Sequence, residues 1–139
     1  MKRVVVCLAL AIAIVFATSA FAATNTFKGT DAAGGTVKFT AIIHHGDITK
    51  VRGFKWNNVP MQCDEPNQTT SGNFTFSAPV NNKGKFKFNG SNGTSDAVVH
   101  GKFKTRRKAT GTFRVSGSPS PGTQDNCDTG VTNWKAHRI

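Results

Sequence analysis

Tyrosine is absent from these 139 residues, although there are 11 phenylalanines and 2 tryptophans. The aromatic content is therefore apolar core material rather than a hydrogen-bonding contact surface. Acidic side chains are scarce, 7 against 18 lysines and arginines. That balance favours attraction to polyanions and says nothing about fold. Cysteine occurs only 3 times, with no second Cys or His at ligand spacing, so no zinc site is written in the chain. Catalytic motifs are missing as well: neither Ser116-Gly117-Ser118 nor the stretch Gly90 to Ser95 has the pattern of a nucleophile elbow or a phosphate loop. Only one long apolar run exists, from Val4 to Ala17, broken by Cys7.

That run follows Lys2 and Arg3 and leads to Ala20-Phe21-Ala22, the small-x-small pattern of a signal-peptidase site. It is shorter than the roughly 20 residues that span a bilayer. The expectation is a signal peptide over 1–22, a single domain over 23–139, and an extracellular or cell-envelope location, with a leader that suits a bacterium. Cleavage removes Cys7 and leaves Cys63 and Cys127 for an oxidising compartment, where one bridge is the only pairing available. The remaining domain carries 16 basic and 7 acidic side chains.

Period-2 alternation recurs along the domain, and no stretch offers helical spacing beyond a turn or so. Runs between Gly, Asn, Pro and Asp clusters predict eight strands, at about 25–30, 35–43, 48–59, 69–77, 84–90, 95–104, 109–116 and 129–137. Short connections make neighbours antiparallel. The expected fold is all-β: an antiparallel eight-stranded meander forming a closed or flattened barrel, with a two-sheet sandwich as the alternative. The two long connections, 60–68 with Cys63 and 117–128 with Cys127, leave the same end of such a meander. The bridge then requires those loops to fold over the mouth or the barrel to flatten.

The unit from Lys83 to Ser116 fixes a register from its turns and alternation. Pairing across Asn92-Gly93 sets Phe86 against Val99 and Phe88 against Ala97, and pairing across Arg106 to Lys108 sets Phe103 against Gly111 and Gly101 against Phe113. One face is then apolar. The other presents Lys83, Lys85, Lys87, His100, Lys102, Lys104 and Arg114, with Arg106, Arg107 and Lys108 at the turn and no carboxylate among them. Like charges across strands are destabilising, so an anionic partner would return a cost. The same lysines also suit an exposed sheet face that needs solubility and protection from edge pairing. A partner would be an acidic glycan, an anionic lipid surface or extracellular nucleic acid, recognised by charge without sequence readout, because alternation turns the aromatic rings inward.

His44-His45-x-Asp47 is the one cluster reminiscent of a metal or proton-transfer site, but adjacent strand residues point to opposite faces. A hydrolase reading would pair Asp64 or Glu65 with Asp125 or Asp128, which the disulfide brings together. Trp56 and Trp134 lie near the strand ends that meet the disulfide loops; core packing is the default, and in a true barrel either could line the mouth of a pocket for a small apolar ligand. Four Asn-x-Ser/Thr sequons begin at Asn67, Asn73, Asn89 and Asn92, as an Asn- and Thr-rich β surface produces. No cofactor is expected.

Several stretches together resemble a family of small secreted all-β proteins of soil actinobacteria. They are Phe27-Lys28-Gly29-Thr30, Gly46-x-Ile48-x-x-Val51-x-Gly53-Phe54 leading to Cys63, Lys102-Phe103 to Ala109-x-Gly111-Thr112-Phe113, and Cys127-x-Thr129-Gly130 before Trp134-x-Ala136. The resemblance implies export, a β fold and paired cysteines, and supplies no function. Val131 and Trp134 stand three apart instead of two, which leaves the facing of the last strand open.

Overall fold

The computed structural model of the chain describes residues 22–64, 68–118 and 126–139. The expected leader, Ala22 apart, lies outside these residues, as do Glu65, Asn67 and Asp125. The described residues form one antiparallel sheet of β1 (Ala23–Asp31), β2 (Thr36–His44), β3 (Asp47–Met61), β4 (Gln68–Asn73), β5 (Ser77–Pro79), β6 (Lys85–Ser91), β7 (Ser95–Thr105), β8 (Lys108–Gly117), β9 (Cys127–Asp128) and β10 (Thr132–Arg138). They contain no helix long and apolar enough to cross a membrane.

The strand order β4-β3-β2-β1-β10-β8-β7-β6 is that of a meander whose last long strand has returned to its first. The sheet curls through 245° into a barrel-like wall. It stops short of closure, because β4 and β6 do not pair with each other. The expected fourth strand is divided between β4 and β5, which both pair with β3, and the long connection before β10 contributes β9, paired with β8. A single curled sheet replaces the alternative of two stacked sheets.

Inward-facing residues of β3 do not keep a strict period of 2: Val51, Phe54, Trp56, Val59 and Met61 are all buried. The two three-residue steps span Gly53 and Asn58, whose φ angles are 64° and 53°. Each is a bulge that returns the strand to phase, and the pairing registers shift between Lys38 and Thr40 and between Trp56 and Val59. Bulges sharpen local twist, which helps a 15-residue strand to bend around the core.

In the unit from β6 to β8, the faces are as expected but both registers differ by two residues. Phe86 lies opposite Gly101 and Phe88 opposite Val99; Gly101 lies opposite Gly111, Val99 opposite Phe113 and Phe103 opposite Ala109. The reason at the first turn is the Asn92 side chain. Its Oδ1 accepts from the backbone N–H groups of Thr94 and Ser95, at 3.0 and 2.8 Å, which builds a longer loop than a two-residue Asn-Gly turn. At the second, the Thr105 hydroxyl accepts from the N–H groups of Arg107 and Lys108, and a bulge between Phe103 and Thr105 absorbs the extra residue.

Phenylalanine rings fill the interior of the curl. Phe27, Phe39 and Phe54 stack with centroids 5.1 and 5.6 Å apart, and Phe86, Phe88 and Trp134 pack around them. Large rings fit because glycines lie beneath them: a Cβ on Gly101 would stand 2.1 Å from Phe86 Cζ, and one on Gly111 2.5 Å from Trp134 Cζ2. The aromatic cover over a glycine neighbour is thus real, on partners different from those the sequence suggested. Phe74 is buried, but Phe76 is 47% exposed, so the two do not share an inward face. In β10, Thr132, Trp134 and Ala136 face inward and Val131 faces solvent.

Cys63 and Cys127 form the disulfide. Next to it, the N–H of Gln62 donates to the Asp128 carbonyl and the N–H of Asp128 to that of Gln62, both at 2.9 Å. The two long connections therefore meet across one end of the barrel wall.

Candidate polyanion-binding face

Alternation along each strand decides which side chains leave the curled wall on its convex side. On β6 and β7 these include Lys85, Lys87, His100, Lys102 and Lys104, all exposed. Lys85 stands directly opposite Lys102, and Lys87 opposite His100. Lys83, Arg106 and Arg107 are exposed at the opposite end from the disulfide.

Two members of the expected set are not free cations. Arg114 donates to Asp128 through its Nε, at 3.1 and 3.2 Å, and through a guanidinium NH2. Asp128 comes from β9, on the long connection, which is why the carboxylate was not visible in the alternation of β6 to β8. The hydrogen bonds from Arg114 hold the Asp128 carboxyl below its ordinary range against partial burial, helped by the Gly130 N–H, and the same contact raises Arg114. Arg106 is 3.7 Å from Asp47 between two exposed turns. Asp96 also occupies an exposed position on β7, opposite Ser116. The expectation of a face without carboxylates is corrected accordingly: Asp96 and Asp128 border it at the disulfide end.

The structure extends the basic face in the other direction. Lys55 of β3 lies opposite Lys38 of β2, Lys38 opposite Lys28 of β1, Lys28 opposite His137 of β10, and His137 opposite Lys108 of β8. All five are exposed. With neighbouring strands about 4.8 Å apart, this row runs roughly 19 Å around the wall. Among the described residues no carboxylate interrupts it. Sequence reasoning missed Lys28, Lys38 and Lys55 because their adjacency depends on the β1–β10 pairing and on the bulge that places Lys55 opposite Lys38. The signal available was their outward phase alone. A second row, Lys85, Lys102, Thr110 and Lys135, runs beside the first.

The remaining candidates separate cleanly. Trp134 is 1% exposed, and its Nε1 donates to the Thr112 carbonyl, so it belongs to the core rather than to a mouth. Trp56 donates to the Thr70 hydroxyl and edges a cleft between β4 and β6. The interior of the curl is packed with rings, and four of its core residues, Trp56, Phe74, Ala97 and Val115, also border that cleft. The His44 and His45 ring centroids are 5.9 Å apart, and Asp47 is engaged by Arg106. Among the described residues no group of three or more His, Cys, Asp or Glu side chains is arranged to hold a metal. Of the loop carboxylates, Asp128 is taken by Arg114 and Gly130, Asp64 is exposed, and Glu65 and Asp125 lie outside the described residues. Compared with protein-family models, curated proteins and solved structures, the chain matches none.

Proposed function

We propose that this is an exported, non-enzymatic binding domain that engages acidic polymers through its convex outer face. The observation that carries the reading is the row Lys55, Lys38, Lys28, His137 and Lys108, continuous across five adjacent strands without a carboxylate. Like charges directly opposite one another cost folding free energy, and an anionic chain laid along the row offsets that cost. Recognition would be by charge, because the rings that alternate with these lysines, Phe27, Phe39, Phe54, Phe86 and Phe88, face inward and cannot stack on bases.

Curvature favours one class of partner over another. A flat lipid surface touches a wall curled through 245° along a narrow line, whereas a flexible acidic chain follows the row around it. The disulfide fits an oxidising compartment, which agrees with the leader. The test is retention on a heparin column of the domain against a variant with Lys28, Lys38, Lys55, Lys85, Lys87 and Lys102 changed to Gln. The parent should elute at clearly higher salt. Equal elution of the two proteins would overturn the reading.

A further inference from the structure

The unclosed edge of the barrel wall has a chemistry of its own. A cleft of about 460 Å³ lies between β4 and β6, at the end that carries the disulfide. Sixteen of the described residues line it, and none of these is charged. In a chain of formal net charge +11, a cleft of that size without one cation is a poor seat for the polyanion proposed above. Its groups are instead short hydroxyls and amides beside aromatic rings.

Two features make it a built surface. Phe76, exposed on one side, is held on the other by the rings of Phe74 and Phe88, with centroids at 5.4 and 5.6 Å. The approach is possible because Gly90 has no side chain: a Cβ there would stand 2.9 Å from Phe74 Cε1 and 3.9 Å from Phe76 Cε1. Around this fixed ring, the Asn73 amide and the Thr75 hydroxyl are exposed. Asn92 spends its Oδ1 on the turn that it caps, which leaves its NH2 group as a donor.

We infer that this cleft is a binding site for a neutral saccharide chain. A pyranose presents an apolar C–H face to a ring such as Phe76 and hydroxyls at its rim, each needing a donor or an acceptor. Amides and hydroxyls supply both at once, and the absence of charge removes the desolvation cost that a buried ion would add. A polypeptide strand added to the free edges fits less well, because Phe74 and Phe76 already span the gap between them over Gly90. The size suits a short stretch of chain, within the range of about 300–1,000 Å³ typical of ligand pockets. The site is separate from the basic rows, so the two binding activities are independent.

The experiment is a titration of isotope-labelled domain with cellohexaose, a β-1,3-glucan hexamer, chitohexaose and maltohexaose, followed by amide chemical shifts. At least one should bind saturably, moving the amides of Gly72, Asn73, Thr75, Gly90 and Thr94 and leaving those of β1 and β2 in place. Phe76→Ala, at a half-exposed position and with its folding checked by its amide spectrum, should weaken that binding by at least about tenfold. Added salt should leave it unchanged, whereas binding to the basic rows must weaken, so failure of either site is distinguishable from failure of the other. No binding by any of the four sugars, shifts confined to other strands, or an unaltered Phe76→Ala variant would overturn the inference. Concentration-dependent dimers joined along β4 or β6, or selection from a random peptide library that Phe76→Ala abolishes, would assign the cleft to a polypeptide strand and overturn it as well.

Discussion

Replacing Cys63 and Cys127 with alanine should unfasten one end of the barrel before the other. The bridge joins positions 64 residues apart. For a loop of that length the chain-entropy model gives about 4 kcal/mol of stabilisation, acting through the unfolded state. A domain of this size unfolds with an entropy of about 0.25 kcal/mol per degree, so the melting temperature should fall by about 16 °C. The loss should also have a place. Around the bridge, the mutual Gln62 and Asp128 backbone bonds, the Thr129 hydroxyl that accepts from Val115 N–H, and the β8–β9 pairing hold the two long connections together. Amide hydrogen exchange should quicken there first, while the turns at Val80–Gly84 and Thr105–Lys108, at the other end, keep their protection. A fall of less than about 5 °C, or exchange that accelerates equally at both ends, would refute the reasoning.

Lys38 stands between two other lysines, so Lys38→Gln should raise the melting temperature by about 2–4 °C at low salt, measured by calorimetry, with the gain shrinking at high salt. Gly101→Ala should cost about 1–3 kcal/mol in denaturant unfolding, because its Cβ would collide with the Phe86 ring. Asp128 has a depressed folded-state pKa, so its pairing with Arg114 stabilises the domain above the ordinary carboxylate range and the contribution is lost as pH falls through the folded value. Asp128→Asn should therefore lower stability at neutral pH and flatten its decline on acidification, read from melting temperatures across that range.

Much of the wall was legible because alternation and turn residues report the same thing. Val37, Phe39 and Ala41 face inward on β2, as their spacing implies, and the parity of the strands placed both cysteine connections at one end. Three features resist such reading. Turn length depends on side-chain bonds such as those from Asn92, so the registers of β6 to β8 differ by two residues while their faces stay the same. Bulges at Gly53 and Asn58 displace the alternation of β3, and with it the position of Lys55. Long-range pairing brings together Lys28 and His137, more than a hundred residues apart, and only the return of β10 to β1 makes them neighbours. The Arg114–Asp128 pair is hidden for the same reason, because the carboxylate arrives on a two-residue strand within a long connection.

The proposed activity rests on geometry rather than on net charge, and one comparison separates them. A fluorescent heparin oligosaccharide is titrated at several salt concentrations with the parent domain and two variants of equal charge. One carries Lys28, Lys38 and Lys55 changed to Gln, within the row; the other has Lys50, Arg52 and Arg138 changed to Gln, outside it. Loss of the row should weaken binding by at least about tenfold and reduce the salt dependence by about two to three released counterions, while the second variant binds within about threefold of the parent. Equal weakening of the two variants would contradict the account, because charge alone would then explain the binding.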